Sequence, residues 1–208
     1  MSLHLGQIHY WLFNKIKLFE LSEKKILDWA EKNNFPVNQW KDEIYKQYGG
    51  PLEDKPLEEM IDTGNIHGWL QDKIERAEYR YATLVSKILE IDKNYMDNLL
   101  NIMKKKGTLE GREFTGDENS LEAIYNAIND YVVEGMPCDR INVLVSSDYD
   151  EIIWESTRCL HKKYWDFVGG NVENFYTLRE MWIKAFVEAI NPELHYEKLE
   201  EGTHKISR

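Results

Sequence analysis

Residues 6–16 read GQIHYWLFNKI, and residues 64–74 read GNIHGWLQDKI. Seven of the eleven positions are identical, and the match continues at the same spacing to Glu20 and Glu78. In both copies, apolar residues recur at the 3.6-residue period of an amphipathic helix. The sequence therefore predicts two equivalent helices that carry an internal repeat over residues 6–20 and 64–78.

The two repeated helices are predicted to pack as an antiparallel pair about a local two-fold axis. His9 and Glu20 lie about 16.5 Å apart along one helix, at a rise of about 1.5 Å per residue, so they cannot touch. In an antiparallel pair, His9 instead approaches Glu78 of the other copy, and His67 approaches Glu20.

Three interpretations of the repeated histidines stay open. In the first, each histidine is a half-buried hydrogen-bonding residue that fixes the helix register. In the second, imidazoles and carboxylates from facing helices bind a divalent metal, with His9, His67, Glu20 and Glu78 as ligands. Neither helix contains the Glu-x-x-His motif that such bundles favour.

In the third interpretation, the two motifs line a ligand pocket. Trp11 and Trp69 form its walls, and His9 and His67 supply the polar contacts. The chain has seven Trp and twelve Tyr, which are many for 208 residues, and some of them are expected to line a pocket or an interface. A small molecule is therefore the expected partner.

Composition narrows the range of partners. The net charge of −11 disfavours nucleic acid, because an acidic surface repels phosphates. The sequence shows no signal peptide and no run of eighteen apolar residues, so no membrane partner is expected. Two cysteines do not make a disulfide framework and favour the cytoplasm. A homodimer is left open.

The pattern of helices and strands predicts an α+β fold in a single domain, residues 1–208. Residues 1–134 are predicted to be helical, with a helix over 3–20, a new helix after Ser22 as its N-cap, and a loop over 107–119. Residues 135–208 are predicted to contain a small antiparallel sheet. Its first hairpin pairs 141–146 with 151–157, and the tail favours a second hairpin around Glu201 and Gly202.

Residues 157–165, TRCLHKKYW, contain the candidate catalytic residues. Cys159 is predicted to lie where a strand gives way to a helix, and a helix start with nearby cations favours a nucleophilic thiolate. His161 is a candidate base for that thiolate. The alternative is that Cys159 is an inert, buried residue, as most free cysteines are.

The chain from Ile152 to its end resembles the L-2-amino-thiazoline-4-carboxylate hydrolase-like family. The matching elements are Thr157-Arg158-Cys159, the helix 175–190, Asn191-Pro192 and the turn at 199–202. The resemblance implies an α+β layout and a functional role for Cys159. Two further cysteines of the family have no counterpart, since Tyr176 and Lys205 occupy those neighbourhoods.

Together these patterns predict a cytosolic small-molecule-binding protein, with hydrolase-like chemistry at Cys159 as one form of that function. One alternative is a metal-binding helical protein that uses the repeated His and Glu residues. The other is a non-enzymatic sensor or ligand-binding domain.

Overall fold

A computed structural model describes residues 5–200 and 202–208. In chain order the elements are α1 (Gln7–Lys32), α2 (Val37–Tyr48), α3 (Leu57–Met60), α4 (Ile66–Ile91), α5 (Tyr95–Arg112), α6 (Leu121–Tyr131), β1 (Asn142–Ser147), β2 (Glu151–Ser156), α7 (Lys162–Phe167), α8 (Val172–Ile190), β3 (His195–Glu200) and β4 (Thr203–Ser207). The predicted α+β class, mostly helical with a small C-terminal sheet, is confirmed. The predicted helix start at residue 3 and residue 201 of the predicted turn lie outside the described residues.

The two repeated helices, α1 and α4, pack parallel, so the predicted antiparallel arrangement is wrong. His9 Nε2 lies 3.4 Å from His67 Nε2 near the start of both helices. Roughly three to four turns further along, Arg80 of α4 forms an ion pair with Glu20 of α1. The pair can be parallel because residues 33–65, which include α2 and α3, return the chain to the level at which α1 began.

The repeated apolar positions form a hydrophobic cluster between α1 and α4. Leu12 and Ile16 of the first copy are buried, and so are their equivalents Leu70 and Ile74 of the second. Matching faces of two amphipathic helices bury each other in this way. The internal repeat therefore has a structural role, which is to form a self-complementary helix pair.

Helix α1 runs without a break through Ser22, so the new helix predicted to start there is wrong. Ser22 is buried in the middle of the helix rather than placed at a cap. No Pro or Gly lies near it to end the helix. The next residue, Glu23, accepts a hydrogen bond from Arg80 Nε at 2.9 Å, which links this part of α1 to α4.

Helix α5 extends through Gly107 and Gly111, so the first part of the predicted loop at 107–119 is helical. Both glycines face α8 at very short range: a Cβ at Gly107 would lie 2.4 Å from the carbonyl oxygen of Trp182. A Cβ at Gly111 would lie 2.4 Å from the carbonyl oxygen of Phe186. The two glycines therefore permit close helix packing here, although glycine usually disfavours a helix.

The four strands form an antiparallel sheet in the order β1-β2-β4-β3. The predicted tail hairpin is confirmed by the pairing of β3 with β4. The inner face of the sheet is buried through Ile152, Trp154, Tyr196 and Ile206. The sheet brings the residues that follow β2 close to the first turns of α8. Within the described ranges, no helix has the length and apolar character needed to cross a membrane.

Candidate functional site

A cleft of about 300 Å³ opens where the chain leaves β2, and Cys159 is part of its wall. Ligand pockets in proteins start at about this volume. A thiol, a phenol and an imidazole are part of its lining, from Cys159, Tyr176 and His204. The remaining lining residues are Glu155, Ser156, Thr157, Arg158, Glu173, Lys198 and Gly202.

The Cys159 sulfur faces two hydrogen-bond donors. The backbone N–H of Lys162 donates to Sγ at 3.2 Å, and the Tyr176 hydroxyl is within hydrogen-bonding reach of the thiol. Burial, and then the hydrogen bond to Cys159, raise the pKa of Tyr176, so its hydroxyl stays protonated and can donate. A sulfur anion at this position would therefore be hydrogen-bonded from two sides.

His204 enters the cleft from β4 and is held in place by its neighbours. Its ring stacks on Trp154 with centroids 5.3 Å apart, and its Nδ1 lies 2.8 Å from the Tyr196 hydroxyl. Burial lowers the pKa of His204 to about 4, so the imidazole is neutral at pH 7. Nδ1 is taken by Tyr196, so Nε2 is the ring nitrogen left for a ligand.

His161 does not pair with Cys159, and the predicted Cys159–His161 dyad is not formed. The imidazole is buried against Phe175, with ring centroids 4.0 Å apart. Its Nδ1 lies 2.8 Å from Glu78 Oε1, and its Nε2 lies 3.1 Å from Glu134 Oε2. Both ring nitrogens are thus engaged in a buried charged cluster and are not free to act on Cys159.

This buried cluster consists of Glu78, Glu134, His161 and Arg179. Burial alone lowers the pKa of His161, but the Glu78 carboxylate and hydrogen bonds to both glutamates outweigh it and raise the pKa to about 9. Burial likewise raises the pKa of Glu134, but Arg179 and His161 outweigh it and hold the pKa at about 2. Both side chains are therefore charged at pH 7, and the cluster is held together by ion pairs.

His161 makes the stability of the fold depend on pH. Its pKa is about 9 in the folded chain and about 6.5 when exposed. The folded state thus holds the extra proton between these values, and the stabilisation present below pH 6.5 is lost as pH rises to about 9. We expect the free energy of unfolding to fall by up to about 3 kcal/mol over this range.

Urea unfolding of the wild type and of His161→Gln across that pH range measures this effect. The variant should lose the slope, whereas His67→Gln, at an exposed position, should keep it. The pKa of Lys15 is lowered to about 8 in the folded chain, so its deprotonation raises the free energy of unfolding above that pH. The effect of His161 is therefore measured between pH 6.5 and 8. A wild-type stability that rises across that window would contradict the assignment.

The predicted metal ligands do not converge, so the four-residue metal site is wrong. The Glu20 carboxylate accepts hydrogen bonds from Arg80 and from the backbone N–H of Leu52. The Glu78 carboxylate is hydrogen-bonded to His161 instead. In the part of the chain that the structure describes, no group of three or more His, Cys, Asp or Glu side chains is placed to hold a metal ion.

His9 and His67 do meet, as a hydrogen-bonded pair at the start of α1 and α4. The backbone N–H of Gly6 donates to His9 Nδ1 at 2.9 Å, so the proton of a neutral His9 lies on Nε2. That Nε2–H faces His67 Nε2 and can donate to it. The contact supports the structural interpretation, in which the histidines fix the register of the helix pair.

Trp11 and Trp69 do not form two walls of one pocket. The Nε1–H of Trp11 donates to Asp130 of α6 at 2.7 Å. Trp69 packs against Phe13 and lines a separate surface cleft with residues 50–60. The two equivalent tryptophans therefore have different neighbours in the fold. The predicted ligand-binding set of His9, Trp11, His67 and Trp69 does not form one pocket.

Other cavities are less suited to a chemical role. A cavity walled by five aromatic side chains and by Arg179 has a volume of about 60 Å³, which is space for a few water molecules. Two surface clefts of about 410 and 710 Å³ are larger, but neither histidine nor cysteine lines them. The cleft at Cys159 is therefore the candidate functional site.

Comparisons with known proteins identify no relative of this chain. No family model, no curated protein and no solved structure matches the chain. The resemblance of the C-terminal part to the L-2-amino-thiazoline-4-carboxylate hydrolase-like family therefore stays a prediction.

Proposed function

We propose that this protein binds a small molecule in the Cys159 cleft and that Cys159 is the nucleophile of a hydrolase-type reaction. The observation that carries this proposal is the presence of a thiol, a phenol and an imidazole in the lining of one cleft of about 300 Å³. Thiols act as nucleophiles when nearby groups support the thiolate and the reaction that follows.

The charges of the cleft indicate the class of substrate. Two cations, Arg158 and Lys198, and two carboxylates, Glu155 and Glu173, line it, so the lining is close to neutral. Each cation also has a partner outside the lining: Asp139 lies 3.1 Å from Arg158, and Glu180 lies 2.8 Å from Lys198. A neutral or zwitterionic ester or amide suits this lining better than a multiply charged anion.

The proposed reaction has two steps. The Cys159 thiolate attacks the substrate carbonyl carbon, the bond to the leaving group breaks, and a thioester forms. Water then attacks the thioester and returns the thiol with release of the acid. Tyr176 hydrogen-bonds the sulfur, and Nε2 of the neutral His204 is the ring atom available to the reacting groups.

The neutral ester p-nitrophenyl acetate tests this proposal. We expect Cys159→Ser to reduce hydrolysis to the rate of buffer alone, because the nucleophile is lost. Cys138→Ser is the matched control, since Cys138 is also a free, exposed cysteine, and it should keep the wild-type rate. Cys159 is exposed, so its replacement should change the free energy of unfolding by no more than about 0.5 kcal/mol. Equal rates for wild type and Cys159→Ser would overturn the proposal.

A further inference from the structure

His204, which lines the Cys159 cleft, is hydrogen-bonded to a tyrosine on the neighbouring strand. His204 lies on β4, and Tyr196 lies on β3, which pairs with β4 in the sheet. The Tyr196 hydroxyl oxygen is 2.8 Å from His204 Nδ1. Tyr196 is 8% exposed and His204 6%, so the pair is buried. Buried polar groups need partners, and the direction of this hydrogen bond therefore decides where the two protons lie.

Both members of the pair are uncharged at pH 7. Burial is the largest cause that lowers the pKa of His204 to about 4, and the cations Arg179 and Lys198 act in the same direction against Glu134. Burial likewise raises the pKa of Tyr196, so its hydroxyl keeps its proton. A neutral imidazole and a neutral phenol thus share one hydrogen bond, and each carries one proton on nitrogen or oxygen.

Only one arrangement of these protons gives both groups a partner. If His204 carried its proton on Nδ1, it would donate to the Tyr196 oxygen, and the phenolic proton would need another acceptor. Among residues 5–200 and 202–208, the Tyr196 hydroxyl has no second hydrogen-bond partner within 3.5 Å. The phenol therefore donates to Nδ1, and the imidazole proton lies on Nε2.

The Nε2–H group of His204 is left to donate to a ligand. Within the described ranges, no protein acceptor lies within 3.5 Å of Nε2. The ring stacks on Trp154 at an interplanar angle of 21°, and Tyr196 holds Nδ1, so the imidazole is oriented from two sides. The cleft that this ring lines has a volume of about 300 Å³, which is space for a small ester. An oriented neutral donor of this kind stabilises a carbonyl oxygen as that oxygen gains negative charge.

We infer that Tyr196 is a positioning residue that holds His204 as a hydrogen-bond donor, through Nε2–H, to the carbonyl oxygen of the substrate. When the Cys159 thiolate attacks the carbonyl carbon, the C–S bond forms and an electron pair of the C=O bond moves onto oxygen. Nε2–H donates to that oxygen and keeps its proton. The C=O bond then forms again as the leaving group departs, and the ring is unchanged. His204 is thus a donor and not the base, because its free ring nitrogen has no lone pair to accept a proton. The role of His204 rests on the proposed hydrolase function, whereas the position of its proton does not.

Long-range proton–nitrogen NMR of the isotope-labelled wild-type chain tests the position of the proton. The protonated and the unprotonated ring nitrogen of a neutral histidine have well-separated chemical shifts, and the signals that disappear in His204→Gln belong to His204. At pH 7 we expect the His204 proton on Nε2. Tyr196→Phe removes only the hydroxyl group, and the share of molecules with the proton on Nδ1 should then increase. A wild-type proton on Nδ1, or a tautomer ratio that Tyr196→Phe leaves unchanged, would overturn the inference.

Hydrolysis of p-nitrophenyl acetate distinguishes a donor from a base at position 204. Glutamine offers an N–H donor but cannot act as a base, and leucine offers neither. We expect His204→Leu to lower kcat by about 100-fold, the usual loss for one donor to an oxyanion, and His204→Gln to stay at least about tenfold faster than His204→Leu. Circular dichroism checks the fold of both variants. The same loss in both variants, or no loss in either, would overturn the donor role. If Cys159→Ser hydrolyses the ester at the wild-type rate, the hydrolase function fails and the donor role fails with it, whereas the NMR spectrum alone decides on the tautomer.

Discussion

Replacement of Glu134 by Gln is expected to lower the free energy of unfolding by about 3–5 kcal/mol, the usual cost of removing one partner from a buried ion pair. Glu134 forms an ion pair with Arg179, whose side chain is 12% exposed, and with His161, whose side chain is 2% exposed. Without this carboxylate, two buried cations face each other with Glu78 as the remaining acid of the cluster. Urea unfolding near pH 7 measures the loss.

Glu188→Gln is the matched control for Glu134→Gln. Glu188 lies 3.9 Å from Lys184 in a surface pair, with both side chains more than 40% exposed. Surface pairs of this kind contribute at most about 1 kcal/mol. If Glu134→Gln lowers the free energy of unfolding by no more than Glu188→Gln does, the buried charged cluster does not hold the fold together.

Replacement of Gly111 by Ala is expected to destabilise the fold by about 3 kcal/mol, at the upper end of the usual cost of overpacking. The added Cβ would lie 2.4 Å from the carbonyl oxygen of Phe186 and 2.9 Å from Cβ of Ala189. A backbone oxygen cannot rotate away as a flexible side chain can, so α5 and α8 would have to move apart. Thermal and urea unfolding report the effect.

Gly50→Ala is the control for Gly111→Ala. At Gly50 an added Cβ meets only Tyr45, at 4.0 Å, and the backbone is not in the left-handed region. Such a change is neutral or stabilises by up to about 1 kcal/mol, because alanine restricts the unfolded chain. Equal stability of Gly111→Ala and Gly50→Ala would contradict the close approach of α5 and α8.

The sequence predicted the fold class and most elements, but not the direction of the repeated helices. A helical wheel shows which residues share a face, and the pattern at Leu12, Ile16, Leu70 and Ile74 was informative for that reason. The same faces match in parallel and antiparallel pairs. The direction depends on the path of residues 33–65, which the periodicity of α1 and α4 does not report.

Helix α5 extends further than the sequence predicts, for a related reason. Gly107 and Gly111 favour a loop in the sequence, because glycine lowers the intrinsic stability of a helix. In the fold they lie four residues apart on one helix face, where they allow contact with the backbone of α8. Tertiary packing outweighs the local preference in this case. The four-residue spacing of the two glycines, about one helical turn, is the feature of the sequence that indicates such a packing face.

The candidate site was predicted only in part. The predicted transition between strand and helix indicates Cys159, but Tyr176 and His204 come from α8 and β4, which only the tertiary fold brings into the same cleft. Nearness in sequence favours His161 as the partner of Cys159, but the His161 ring contacts Glu78 and Glu134 instead. Alternation along β4, with His204 and Ile206 both buried, was the one sequence signal for His204.

The position of the acetyl group after brief exposure to p-nitrophenyl acetate tests the proposed role of Cys159 most directly. Peptide mass spectrometry compares Cys159 with Cys138, two free and exposed thiols in one chain. We expect acetylation of Cys159 first, followed by loss of the acetyl group as water hydrolyses the thioester. Acetylation of both cysteines at the same rate, or of Cys138 first, would contradict a nucleophilic site at Cys159.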